Sequence, residues 1–187
     1  MKVLLLNGSR RERGCTCTAL SEIAKVLEAN DIATEIIHAV PEDDVVKGVA
    51  EKLKTADGLV IGSPVYWASP SGEMVSFMDK LSAIAGPALR HKPGAAIASA
   101  RRAGTTATLE VLHKYLMYFE MPLVSANYWA MVHGNTPEEV KKDLEGMQIM
   151  RVLGNNMAWL LKCIAAGKAA GVKEPAKEDK VMTSFIR

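Results

Sequence analysis

Short apolar runs alternate along this chain with longer stretches in which apolar residues recur every three or four positions. KVLLLN (2–7), GLVIGS (58–63) and GAAIASA (94–100) are continuously apolar or small. That is the pattern of strands buried on both faces; the first run is ended by Gly8 and the second closes on glycine and serine. IATEII (32–37) reads as a second strand, and PLVSANYW (122–129) should hold the fifth. Between them, Leu20, Ile23, Ala24 and Leu27 fall at helical spacing, as do Leu109, Leu112, Leu116 and Phe119. Residues 46–56 make a weaker helix. Met74, Phe77, Met78, Leu81 and Ile84 make another, with Ser69 as its N-cap and Pro70 at its first position.

The last helical pattern is the longest. Thr136, Pro137, Glu138 and Glu139 form a capping box, and a stripe from Val140 to Ile164 follows it. Unbroken over 136–167, that helix would span roughly 45–50 Å, more than a domain of this size. The pattern therefore predicts a bend at Gly146 or Gly154, or an end that projects onto a partner. Residues 172–187 are charged and poor in core residues, an arm or disordered end after a domain of 1–171.

Strands alternating with helices imply a parallel sheet covered on both faces. Ligands in such folds sit beyond the C-terminal strand ends, where strand order reverses. Three loops fall there: 8–16, 63–69 and 99–106.

Composition narrows the setting. With 187 residues, one core can form without staples, and a net charge of +2 is too mild for a nucleic-acid partner. No apolar stretch is long enough to cross a membrane, and MKVLLLNGS is too short for a secretory leader. Three cysteines do not make a disulfide framework. A soluble, reduced, cytoplasmic protein is expected.

The first loop, NGSRRERGCTCT, brings Ser9, Arg10, Arg11, Arg13 and Thr16 to a helix start. Unpaired helix amides, hydroxyls and guanidinium groups together bind anions. Neither dinucleotide nor triphosphate glycine motif is present, so a terminal phosphate is the expected ligand; the alternative is a solvated basic turn. Cys15 and Cys17 at a helix start beside arginines could make a reactive thiol; the alternative is that they are small residues packing beside a phosphate. A tyrosine-phosphatase-like loop needs arginine six positions on, but Ser21 and Ile23 stand there. No further Cys/His cluster completes a metal site, so no metal is expected. In the second loop, Pro64 can hold the backbone extended along a planar ring, with Tyr66 and Trp67 over its face. The alternative makes Trp67 a core or interface residue. In the third, Arg101 and Arg102 offer positive charge to a reduced ring or an incoming phosphate, or are surface residues.

NGSRRERGCT resembles the N-G-S-P-R-x-x-G-N-T loop of NADPH-dependent FMN reductases, and GSPVYWASPSGEMVSFMDKL their second flavin loop and the helix after it. The likeness covers about residues 1–168 and is nearest to the branch of iron–sulfur flavoproteins and their cluster-free relatives. It implies a flavodoxin-like three-layer α/β/α fold, five parallel strands in the order 2-1-3-4-5. Carried over, Ser9, Arg11 and Thr16 match phosphate-binding positions, with Cys15 where asparagine is usual and Cys17 beside it. Pro64, Val65, Tyr66 and Trp67 match the segment along the ring. Ser99, Arg101, Arg102 and Gly104 fall in the third flavin loop. Residues 39–54 lack the cluster cysteines, so no iron–sulfur cluster is expected. The resemblance implies FMN as cofactor and NADPH or NADH as co-substrate. The electron acceptor would be a small molecule such as a flavin or quinone, and the assembly a homodimer or homotetramer. Its rival is an electron-transfer flavoprotein without a nicotinamide reaction.

Overall fold

The computed structural model describes residues 1–185 of the chain. Its elements run β1 (Lys2–Asn7), α1 (Cys15–Glu28), β2 (Ala33–His38), α2 (Asp43–Thr55), β3 (Gly58–Tyr66), β4 (Ser69–Pro70) and α3 (Gly72–Leu89). They continue with β5 (Gly94–Ala100), α4 (Thr105–Tyr118), β6 (Met131–His133), α5 (Pro137–Lys142) and α6 (Leu144–Ala169). The sheet order is β2-β1-β3-β5-β6, all parallel, with the two-residue β4 folded back antiparallel on the end of β3. With β4 set aside, this is the expected 2-1-3-4-5 order.

The continuous apolar runs became central strands because each face of the sheet has its own helical cover. Leu4, Leu6, Leu59, Ile61, Ala96 and Ala98 join one cluster with residues of α2, α3 and α4. Val3, Leu5, Val60, Ala95 and Ile97 join the other with α1 and α6. The alternation is the period-two geometry of a strand.

Three local expectations are corrected. The fifth strand is Met131–His133, not 122–129. There, Leu123 makes only a lone bridge to Gly94, and Tyr128 and Trp129 stand exposed. An edge strand needs ladder partners on one side only, so apolar composition did not fix where pairing would occur. Second, Ser69 and Pro70 are the returning strand of a hairpin. The N-cap of α3 is Ser71, whose Oγ accepts from Met74 N at 3.2 Å. Third, the long last helix breaks at Asp143, at neither expected glycine. Asp143 Oδ1 accepts from Gly146 N (2.9 Å) and Oδ2 from His133 N (2.6 Å), which caps α6 and ties it to β6. The tail forms no helix or strand up to residue 185 and is pinned at several points. α6 ends with Gly171 at φ 87° and Val172 N donating to Gly167 O (2.9 Å), a left-handed C-terminal cap. Beyond it, Glu174 pairs with Lys168 and Arg90 Nη1 donates to Pro175 O.

Candidate functional site

Parallel register aligns the strand ends. Asn7 lies beside Gly62, and Pro64 beside Ser99. A cleft of about 180 Å3 opens above them. Ser9, Arg11, Cys15 and Thr16 line it from the first loop, Pro64, Val65 and Tyr66 from β3, and Ser99, Ala100 and Arg101 from β5. Gly134 and Asn135 close it after β6.

The first loop is held by side chains that the fold buries. Asn7 Oδ1 accepts from Ser9 N (3.2 Å), and its Nδ2 donates to Glu12 O (2.8 Å). His38 Nε2 donates to Ser9 O (2.8 Å), and Ser71 Oγ donates to Gly8 O (2.6 Å). Ser9 Oγ accepts from Arg11 N (3.2 Å). The loop is therefore set before any ligand arrives.

The donors at its end lie at an uncapped helix start. The N-cap of α1 is Gly14, and no side chain caps the helix. The amides of Cys15, Thr16 and Cys17 begin a helix and have no intrahelical acceptor. Thr16 Oγ1 and Ser99 Oγ, both buried, lie 2.7 Å apart. Two hydroxyls sharing one hydrogen bond leave one proton to give away. A Cβ on Gly62 would sit 3.0 Å from Thr16 Cγ2 and press against α1, so glycine suits this close approach of helix and sheet. Exposed Arg11 and Arg101 add charge at the rim. An anion with several acceptor oxygens fits this set.

The thiol is not activated. Burial pushes the Cys15 pKa up, with Arg11 pulling only partly against it, and Sγ donates to Gly134 O (3.6 Å). Desolvation outweighs the helix start. Cys17 lies outside the cleft, in a groove beside Arg13 and Lys141. Arg102 is exposed and does not line the cleft either. Trp67 is fully exposed and is not a core residue of this chain. With Ala68 it forms a two-residue hairpin turn, φ 54° and 55°. Gly104, at φ 103°, lies against that hairpin: a Cβ there would be 2.6 Å from Ala68 Cα. Arg10 turns away to Glu73 Oε1 (2.6 Å), with its guanidinium 5.4 Å from the Tyr66 ring centre. His133 is exposed outside the cleft; its neighbours Gly134 and Asn135, which sequence reasoning missed, are the ones that line it. Asn7, which organises the first loop, was missed too, although it stands just before Gly8 at the strand end.

Residues 1–136 match the family described as NADPH-dependent FMN reductase. The chain belongs to this family. Its members are flavin-dependent oxidoreductases of flavodoxin-like fold. An iron–sulfur flavoprotein of Methanocaldococcus jannaschii is 28% identical over 191 residues, spanning 88% of this chain and 99% of that one. A second from the same organism is 31% identical over 133 residues, 64% of this chain and 66% of its own. Among solved structures, RosB with a bound 8-demethyl-8-formylriboflavin-5'-phosphate intermediate superposes with a TM-score of 0.72 at 18% identity, covering 100% of this chain and 94% of that one. A WrbA-like flavodoxin of Agrobacterium tumefaciens gives 0.68 at 18%, covering 87% and 98%. At such identities the likeness is one of fold.

The residues present fit FMN: the uncapped α1, Ser9 and the Thr16–Ser99 pair meet the needs of a phosphate monoester. They do not fit an iron–sulfur cluster. Four thiolates hold such a cluster, and this chain has three cysteines, of which Cys163 lies exposed on α6. Among the described residues no group of three His, Cys, Asp or Glu is placed to hold a metal, and no helix is long and apolar enough to cross a membrane.

Proposed function

We propose that this chain is a cytoplasmic NAD(P)H-dependent oxidoreductase that holds FMN in the cleft and passes electrons to a small-molecule acceptor, a flavin or quinone. The observation that carries the reading is the buried Thr16–Ser99 hydroxyl pair at the uncapped start of α1, directly below Pro64 to Tyr66. Bound FMN supplies hydride acceptance at its N5 and delivery to a second acceptor. Ser9, Thr16 and the first amides of α1 hold the phosphate. The extended backbone of Pro64 and Val65 runs along the ring edge, and Arg10 and Glu73 fix the Tyr66 side of the hairpin. Arg101 at the rim puts positive charge where a reduced ring or the phosphate of a nicotinamide cofactor carries negative charge. No protein acid or base is required.

Anaerobic stopped-flow mixing of the FMN-loaded protein with NADPH, and separately with NADH, tests this. Loss of the oxidised flavin band is expected. Absence of bleaching within minutes with both nucleotides would leave an electron-transfer flavoprotein instead.

A further inference from the structure

A second cavity lies at the other end of the sheet from the cleft. Asp57 and Pro93, the residues just before β3 and β5, form part of its lining. Its volume is about 340 Å3, at the lower end of small-molecule pockets, which run from about 300 to 1,000 Å3. One wall is apolar and includes Leu161, Ile164 and Ala165 of α6. The other is cationic: Lys54, Arg90, Lys92 and Lys168 stand there with two carboxylates, Asp57 and Glu174.

Most of these charges are already matched. Lys54 pairs with Glu51, Arg90 with Glu120 and Lys168 with Glu174, while Asp57 Oδ2 accepts from Lys2 N (2.7 Å). Lys92 and His91 are not matched. Half-buried Lys92 donates from Nζ to Leu53 O at the end of α2 and forms no ion pair with a carboxylate among the described residues. An ammonium has three protons to give, so two remain. Burial pushes the Lys92 pKa down, and Asp57 pulls only partly against it. His91 Nδ1, also lining the cavity, is buried with no hydrogen-bond partner; the Glu174 carboxylate stands 3.6 Å away, beyond hydrogen-bond length. The turn that carries both residues is held firmly. His91 sits at φ 61°, uncommon away from glycine, with its N–H donating to Glu120 O (3.2 Å). Lys92 N donates to Leu89 O (3.1 Å), and Pro93 O accepts from Leu59 N (3.0 Å). A strained residue beside unmet polar groups in a cavity is a feature of ligand sites.

We propose that this cavity binds a small organic carboxylate, its head received by Lys92 and His91 and its aliphatic body lying on Leu161, Ile164 and Ala165. The head supplies the counter-ion that Lys92 lacks and an acceptor for the remaining ammonium protons. Glu174 shows that the cationic wall takes this chemistry, since its carboxylate already meets Lys168 at 2.8 Å. The apolar wall gives affinity to a carboxylate with a hydrocarbon body over a bare anion. The inference does not depend on the flavin reading, because cleft and cavity lie at opposite ends of the strands.

Isothermal titration calorimetry of the full chain with hexanoate tests it, beside hexanamide, which has the body without the charge, and inorganic phosphate, which has charge without the body. Hexanoate should bind saturably with a Kd of about 1 mM, the scale open to so small a ligand, and both controls should bind about tenfold more weakly. Added FMN should leave the hexanoate affinity unchanged. Lys92→Met keeps the stem and removes the charge. Ala165→Glu, at an exposed position of α6, puts a rival carboxylate in the cavity. Each should weaken hexanoate about tenfold, as loss of a hydrogen bond to a charged group does, and circular dichroism checks that each still folds. No saturable binding of hexanoate, either control binding as tightly, or an affinity that a folded variant leaves unchanged overturns the proposal.

Discussion

Thr16 and Ser99 stand 83 residues apart in sequence, yet their hydroxyl oxygens are 2.7 Å apart and buried. The contact joins the start of α1 to the end of β5 and leaves one donor proton facing the cleft. Thr16→Val removes that arrangement and should weaken FMN binding about tenfold, or about 1.4 kcal/mol, near the lower end for a hydrogen bond to a charged group. Ser9→Ala should act in the same direction. Flavin fluorescence quenching measures both, and unchanged affinity in Thr16→Val would remove the pair from the phosphate site.

Arg101 lines the cleft and Arg102 does not. Arg101→Ala should therefore raise the KM for NADPH or slow flavin reduction several-fold, while Arg102→Ala should leave both nearly unchanged. Steady-state and stopped-flow kinetics on the two variants give the answer. Equal effects would mean that the loop acts through its overall charge.

Gly104 serves both backbone conformation and close contact. Alanine there must adopt φ near 103° and place its Cβ against the Ala68 backbone. Gly104→Ala should cost about 1–3 kcal/mol, the usual scale of such strain. Thermal unfolding should show a midpoint lower by several degrees, with weaker FMN binding because the hairpin is displaced.

Asp143 does with one carboxylate what neither nearby glycine does. It starts α6 and holds the His133 backbone, which leads to Gly134 and Asn135 in the cleft. Asp143→Ala should lower stability by about 1–2 kcal/mol, as the loss of an N-cap does, while Asp143→Asn should keep most of it. Denaturant midpoints for the two variants discriminate a capping role from simple packing.

Burial raises the Cys15 pKa, so its thiol stays protonated to higher pH in the folded chain than in the unfolded one. The sign follows: this contribution to stability is intact below the unfolded thiol pKa and is lost as pH rises through the folded one. At neutral pH, iodoacetamide should label exposed Cys163 faster than Cys15, and FMN should slow Cys15 further. Mass spectrometry of the alkylated peptides checks both, and faster labelling of Cys15 would show that the helix start prevails over burial.

Much of the architecture was legible in the chain itself. Apolar runs at 2–7, 58–63 and 94–100 can only be strands with both faces covered, and the helical stripes between them supply the covers. The parallel sheet and the three loops at its end follow from that alternation, while its order was implied by the family resemblance. The first loop could be named because serine, threonine and arginine crowd a helix start.

Only the tertiary structure decided what depends on direction and distance. Whether Cys15 is a thiolate depended on how deeply it is buried, which sequence spacing does not encode. Cys17 and Arg102 are next to site residues in sequence, but successive residues on a helix or loop point different ways. The fifth strand moved to Met131–His133 because an edge strand is fixed by its ladder partners, and the last helix broke where Asp143 found two amides to cap. Periodicity determined which residues are covered; the packing of distant segments determined which of them meet.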